Sequence, residues 1–211
     1  MHRTRIKICG ITRIEDALAA ARAGADAIGL IFYPPSPRGI KLTHAIDIAR
    51  QLPPFVSTVA LFVNATVVEV GEVVRALRPS LLQFHGDEDH AFCEQFAMPY
   101  LKAVRVGSGM RPADLLECES RFASAKALLL DTLAAGVYGG SGESFDWTKV
   151  PPGMRGRIVL SGGLNPGNVA NAVRAVHPWA VDVSSGVEAQ KGIKDHQKIT
   201  QFIEAVKNAD V

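Results

Sequence analysis

Eight short apolar runs recur along the chain: RIKIC, DAIGLIF, STVALFV, LLQFHG, YLKAVRV, KALLLD, RIVLSG and AVDVSSG, each about the length of a strand. Between them lie stretches with helical spacing. Ile199, Phe202, Ile203 and Val206 form one apolar stripe at i, i+3, i+4, i+7, and Val169, Ala172, Val173 and Val176 repeat it. Strands that alternate with helices run parallel, and eight such units can close on themselves. The pattern predicts an α/β fold, a single (β/α)8 barrel over residues 1–211. An open doubly wound sheet is the competing arrangement.

Within the first run the alternation has a second meaning. Ile6 and Ile8 alternate with Lys7 and Cys9, so a strand puts the ammonium and the thiol on one face. Asp182 and Ser184 alternate with Val181 and Val183 in the same way, and polar groups are expected to line the barrel interior. In barrels of this kind, chemistry sits at the C-terminal strand ends and phosphate binds near the loops after strands seven and eight.

Those ends carry candidates. Strand seven runs into SGGLNPGNV, where Gly162 and Gly163 let the backbone approach a ligand, Asn165 can cap a helix and Pro166 fits its first turn. Strand eight runs into SSGVE, where Ser184, Ser185 and Gly186 supply the other half of a phosphate cradle. KALLLD breaks on Asp131, a carboxylate aimed at the mouth beside Leu128 and Leu130; a helix cap or core salt bridge is the plainer alternative. Arg38, held in PPSPRGI, suits a carboxylate or is a solvated charge. His85 ends LLQFHG as a pocket candidate. The following Asp87, Glu88 and Asp89 suit a helix cap and first turn better than a metal site, so no metal is expected. Residues 134–147, with four glycines and bulky Tyr138 and Phe145-Asp146-Trp147 near the ends, read as a loop that closes over a ligand, with a merely flexible linker as the alternative.

Composition narrows the partners. A charged fraction of 21% and a formal charge of +2 lack the basic excess of a nucleic-acid binder, and 47% hydrophobic residues exclude disorder. A small-molecule substrate is expected, with no nucleic acid. Cys9, Cys93 and Cys118 show no CxxC spacing and cannot all pair, which fits a reducing, cytoplasmic location. Cys93 and Cys118 fall in helical patterns as small buried apolar residues. MHRTRIKICG lacks the apolar core of a signal peptide. The charge-free stretch 51–68 is interrupted by Pro53, Pro54, Ser57, Thr58, Asn64 and Thr66, and reads as loop, strand and helix start, not a membrane span. Monomer and homodimer both stay open.

Taken in order, KICG, SPR, QFHG, LLLDT, GGSGESFDW, LSGGL and DVSSGVE resemble phosphoribosylanthranilate isomerase over nearly the whole chain. Gly39 after SPR and Ser141 in the glycine loop depart from the commonest pattern. The resemblance implies a cofactor-free Amadori rearrangement in tryptophan biosynthesis, converting N-(5-phosphoribosyl)anthranilate into 1-(2-carboxyphenylamino)-1-deoxyribulose 5-phosphate. It implies Cys9 as general base, Asp131 as general acid and Arg38 on the anthranilate carboxylate. Gly162, Gly163, Ser185 and Gly186 would hold the phosphate, with His85 and Asp182 in the pocket. The substrate's own nitrogen serves as electron sink, so neither a metal nor a Schiff-base lysine is required. Forming a thiolate from an ordinary cysteine at pH 7 costs about 2 kcal/mol. Lys7 could supply the charge that favours it, or could instead be spent on an interior carboxylate. The related histidine-pathway isomerase uses two aspartates and indole-glycerol-phosphate synthase a lysine, so both fit less well. A non-catalytic phosphate sensor needs neither Cys9 nor Asp131.

Overall fold

A computed structural model describes residues 3–132 and 145–210. Eight parallel strands close into a barrel in chain order: β1 Arg5–Ile8, β2 Ala27–Ile31, β3 Ser57–Phe62, β4 Leu81–Phe84, β5 Tyr100–Val106, β6 Ala127–Thr132, β7 Ile158–Leu160 and β8 Ala180–Val183. Closure falls between β1 and β8, where Lys7 pairs in register with Asp182 and Ile8 with Val183. The open doubly wound sheet is thereby excluded.

Among the described residues seven α-helices pack outside: α1 Ile14–Ala23, α2 Leu42–Gln51, α3 Val67–Leu77, α4 His90–Glu94, α5 Pro112–Arg121, α6 Val169–Val176 and α7 His196–Lys207. Their ends follow local chemistry. Thr66 and Glu69 form a reciprocal capping box at the start of α3, and Gly24 ends α1 with φ of 107°. Asp195 caps α7 by accepting from the Gln197 and Lys198 amides. Between β6 and β7 the described residues hold two 3-10 turns, Trp147–Lys149 and Pro152–Arg157, where a regular unit would have an α-helix. After β8 comes a feature the periodicity did not announce, a short antiparallel hairpin of β9 Glu188–Gln190 and β10 Ile193–Lys194.

Side-chain parity divides the core in two. Ile6, Ile8, Ile28, Leu30, Phe84, Leu128, Leu130, Val181 and Val183 point outward and pack against the helices. Leu101, Ala103, Ala127, Leu129, Val159 and Ala180 point inward and plug the barrel. Above this plug the inward positions turn polar, and that change makes a site. The glycine-rich loop expected over 134–147 lies outside the described residues through position 144, Ser141 included. At its far end Phe145 and Trp147 are half-buried against the core, and Asp146 caps the Trp147–Lys149 turn.

Candidate active site

β1 carries Lys7 inward and leads to Cys9, and both are buried. Lys7 Nζ donates to Asp182 Oδ1 at 2.8 Å across the closing seam of the barrel. Burial opposes the Lys7 charge, but Asp182 and then Cys9 hold its pKa above the ordinary lysine value. For Cys9 burial pushes the pKa up, and Asp182 adds to this while Lys7 and Lys194 pull it down. Of the two readings of Lys7, both contacts are present and the salt bridge is the direct one.

Space around that thiol is made by Gly29 on β2. A Cβ there would stand 2.7 Å from Cys9 Sγ and 3.2 Å from Lys7 Cε. Sequence reasoning passed over this glycine, although its parity in DAIGLIF places it inward. Ile31, Leu61 and Val63 complete an apolar wall beside Cys9.

Across the mouth, Asp131 ends β6 facing inward and buried. Its Oδ1 accepts from the Thr132 amide at 2.9 Å and its Oδ2 lies 3.1 Å from His85 Nε2. Gln83 Nε2 lies 2.9 Å from His85 Nδ1. If the Gln83 amide donates there, His85 keeps its proton on Nε2 and donates it to Asp131. Gln83 stands two residues before His85 in LLQFHG, so period-two alternation was the available signal for this partner. Leu128 and Leu130 are not neighbours of the Asp131 carboxyl as expected; they have the opposite parity and sit in the outer core. Its inward companions on the strand are Ala127 and Leu129.

The acidic run after His85 divides its roles. Asp89 caps α4 through the Phe92 amide, but Glu88 is not a solvated first-turn acid. It is buried, bonds the amides of Asn64 and Gly86, and pairs with Lys102 Nζ at 3.1 Å, tying the β3 and β4 loops together. Among the described residues no cluster of three metal-ligating side chains occurs. Cys93 is buried in α4, with burial pushing its thiol up to about 12; Cys118 is only half-buried in α5.

Gly162 and Gly163 follow β7 with φ of 82° and 64°, left-handed values that favour glycine. A Cβ on Gly162 would meet Thr132 Oγ1 at 2.3 Å and Asp131 Oδ1 at 3.1 Å, so this loop presses against the proposed acid. A Cβ on Gly186 would meet the Leu164 carbonyl at 1.9 Å, so the β7 and β8 loops touch through their backbones. Asn165 does not cap a helix: α6 starts at Val169 with Asn168 before it, and Asn165 accepts from the Gly167 amide in a local turn.

Arg38 is neither solvated nor unengaged. Its Nε and Nη2 donate to both carboxylate oxygens of Glu188, at 2.7 and 2.8 Å, inside the protein. That hydrogen bonding holds the Arg38 pKa above its ordinary value, and against burial the same contact holds Glu188 below the usual glutamate value. Glu188 appears in the DVSSGVE motif but was given no role, and Lys194 was not singled out at all.

A thiol and a carboxyl set among buried charges at the C-terminal mouth of a closed (β/α)8 barrel mark an enzyme that moves protons on a small substrate. Residues 6–205 match the family model for N-(5'phosphoribosyl)anthranilate (PRA) isomerase. The N-(5'-phosphoribosyl)anthranilate isomerase of Dechloromonas aromatica is 56% identical over 99% of this chain and 98% of its own length. The Thermotoga maritima phosphoribosyl anthranilate isomerase structure superposes with a TM-score of 0.87 at 43% identity, over 97% and 99% of the two chains. A further structure of the enzyme, in complex with reduced 1-(o-carboxyphenylamino)-1-deoxyribulose 5-phosphate, gives 0.84 at 40% identity over the same shares. This chain belongs to the phosphoribosylanthranilate isomerase family, and its activity is an isomerisation.

Proposed function

We propose that Cys9 and Asp131 are the base and the acid of the rearrangement of N-(5-phosphoribosyl)anthranilate in tryptophan biosynthesis. Asp131 gives its proton to the ring oxygen as the bond from that oxygen to C1 breaks. The substrate nitrogen takes up the positive charge as an iminium, which acidifies the C2 proton. Cys9, as thiolate, removes that proton, and the resulting enolamine tautomerises to the amino-ketose. Nothing is oxidised or lost overall, so substrate and product are isomers. The observation that carries this reading is the common placement of the two groups: both face inward, buried, at the C-terminal ends of β1 and β6.

The rest of the site supports it. Two glycine loops after β7 and β8 converge where this fold binds phosphate, with Ser185 and Gly186 opening a short 3-10 turn beside Leu164. Arg38 offers a guanidinium to the anthranilate carboxylate. His85 acts on Asp131, and Asp182 on Lys7, as supports of the reacting groups. The substrate is a small molecule, and no described helix is long and apolar enough to cross a membrane. A single catalytic domain in the cytoplasm, as monomer or homodimer, belongs to the same reading.

Two substitutions test the roles. Cys9→Ala and Asp131→Asn are each expected to lower turnover by about 10²–10⁴-fold, the usual worth of a general acid or base. Affinity for the reduced product analogue should change little in either variant. Fluorescence-monitored consumption of substrate generated in place measures the first, and calorimetric titration the second. Full turnover in one variant removes that residue's role.

A further inference from the structure

The β9–β10 hairpin has no part in closing the barrel, but it brings two buried charges to the mouth. Glu188 and Lys194 are register partners across it, and Lys194 Nζ lies 3.1 Å from Glu188 Oε1. The ammonium also donates to the Ser184 carbonyl at 3.0 Å, at the head of the β8 loop. Glu188 Oε1 accepts in addition from the Gly192 amide at 3.3 Å. The Lys194 side chain is fully buried and those of Glu188 and Arg38 nearly so. The Arg38 stem passes beside Gly10, the residue after Cys9: a Cβ on Gly10 would stand 2.6 Å from Arg38 Cδ and 3.0 Å from Ser184 Oγ.

A guanidinium has two edges that can hold a carboxylate. Glu188 takes the edge formed by Nε and Nη2. No described residue takes the edge formed by Nη1 and the second Nη2 hydrogen, which can hold another carboxylate in a fixed orientation because its opposite side is pinned. Glu188 by itself would cancel the Arg38 charge and leave a neutral pair with little attraction for an anion. Lys194 on the same carboxylate returns the group to a net charge of plus one.

We propose that Glu188 and Lys194 are positioning residues for substrate recognition: Glu188 aims the outer edge of Arg38 at the anthranilate carboxylate, and Lys194 restores the positive charge that makes this edge attractive. The inference rests on the reading of Arg38 as the carboxylate anchor. It gives the hairpin a function, which is to carry the back half of a three-residue clamp. Burial lowers the Lys194 pKa and Glu188 opposes that effect, as expected of an ammonium held in place by its partner.

The test compares two ligands by calorimetric titration: reduced 1-(o-carboxyphenylamino)-1-deoxyribulose 5-phosphate and the same molecule without the carboxyl group. The wild type should prefer the first by about 10- to 100-fold, the worth of one bidentate charged contact. Arg38→Met should abolish the preference. Glu188→Gln and Lys194→Met should each reduce it by at least about fivefold, with affinity for the decarboxylated ligand kept within about twofold. Lys194→Arg should keep most of the preference. If Glu188→Gln does not fold, Glu188→Asp keeps the charge but shortens the reach to Arg38, and it carries the same expectation. A preference unchanged in both variants but lost in Arg38→Met would overturn the proposal, as would equal loss of affinity for both ligands, the signature of a hairpin pin alone. A wild type that does not discriminate, or an Arg38→Met that still does, would instead overturn the reading of Arg38.

Discussion

At the residue scale, the least conspicuous side chain in the site is the one that is missing. Gly29 leaves room for the Cys9 sulfur and the Lys7 stem, and its φ is not left-handed, so the requirement is space rather than backbone freedom. Gly29→Ala would bring a methyl group to 2.7 Å from Cys9 Sγ and 3.1 Å from Cys9 Cα, closer than carbon and sulfur tolerate. The thiol must swing away or β1 must shift. Overpacking of this kind costs about 1–3 kcal/mol of stability, readable in denaturant melts. Turnover should fall at least tenfold, with affinity for the reduced product analogue less affected, because the displaced group is the proposed base and not an anchor. Unchanged turnover in Gly29→Ala would show that the thiol position is not critical.

Among the elements, α1 is fastened to the last part of the chain through one carboxylate. Asp16, fully buried, accepts from Arg13 Nε and Nη2 at 3.0 and 2.7 Å, from the Lys194 amide at 3.1 Å and lies 2.8 Å from His196 Nε2. It joins α1 to β10 and α7. Burial alone would raise its pKa, but Arg13, the Lys194 amide and His196 together hold it below its ordinary 3.8. A carboxylate whose folded pKa is depressed stabilises the fold above the unfolded value, and that contribution disappears as pH falls through the lower folded value. Stability of the wild type should therefore decline below about pH 4, where the unfolded chain takes up the proton first. Asp16→Asn should lower stability at pH 7 by about 1–3 kcal/mol through its broken hydrogen bonds. It should also flatten the acid decline, which urea melts at pH 3 to 7 would measure. A decline equally steep in the variant would place the acid sensitivity elsewhere.

For the molecule as a whole, the decisive contact spans the seam. Lys7 and Asp182 lie 175 positions apart, face each other between the first and last strands, and are both about 95% buried. Taking two charges out of water offsets most of their attraction, so the intact pair contributes little net stability, while either partner alone is a buried unpaired charge. Lys7→Met should cost about 3–5 kcal/mol in equilibrium melts. The double variant Lys7→Met with Asp182→Leu should recover much of that loss, because no charge is stranded. Catalysis should not recover with it, since the ammonium beside Cys9 is gone. If the double variant were as unstable as the single, the seam would depend on the charges themselves.

What was legible in the sequence follows from periodicity. Alternation at two and at 3.6 residues placed all eight strands, the stripes of α6 and α7, and the inward direction of Lys7, Cys9, Asp131 and Asp182, because these depend only on neighbours along the chain. Motif order added the family. The two 3-10 turns between β6 and β7 and the β9–β10 hairpin were not legible, since short elements carry too little periodicity to register. The partners of each charge were decided by tertiary structure alone. Only barrel closure brings Lys7 to Asp182, only the folding back of the hairpin gives Arg38 to Glu188, and only the curvature of the sheet sets His85 against Asp131. A sequence determines which face a side chain takes; which charge it meets there depends on where distant strands come to lie, and at these burials that meeting sets both the energy and the chemistry.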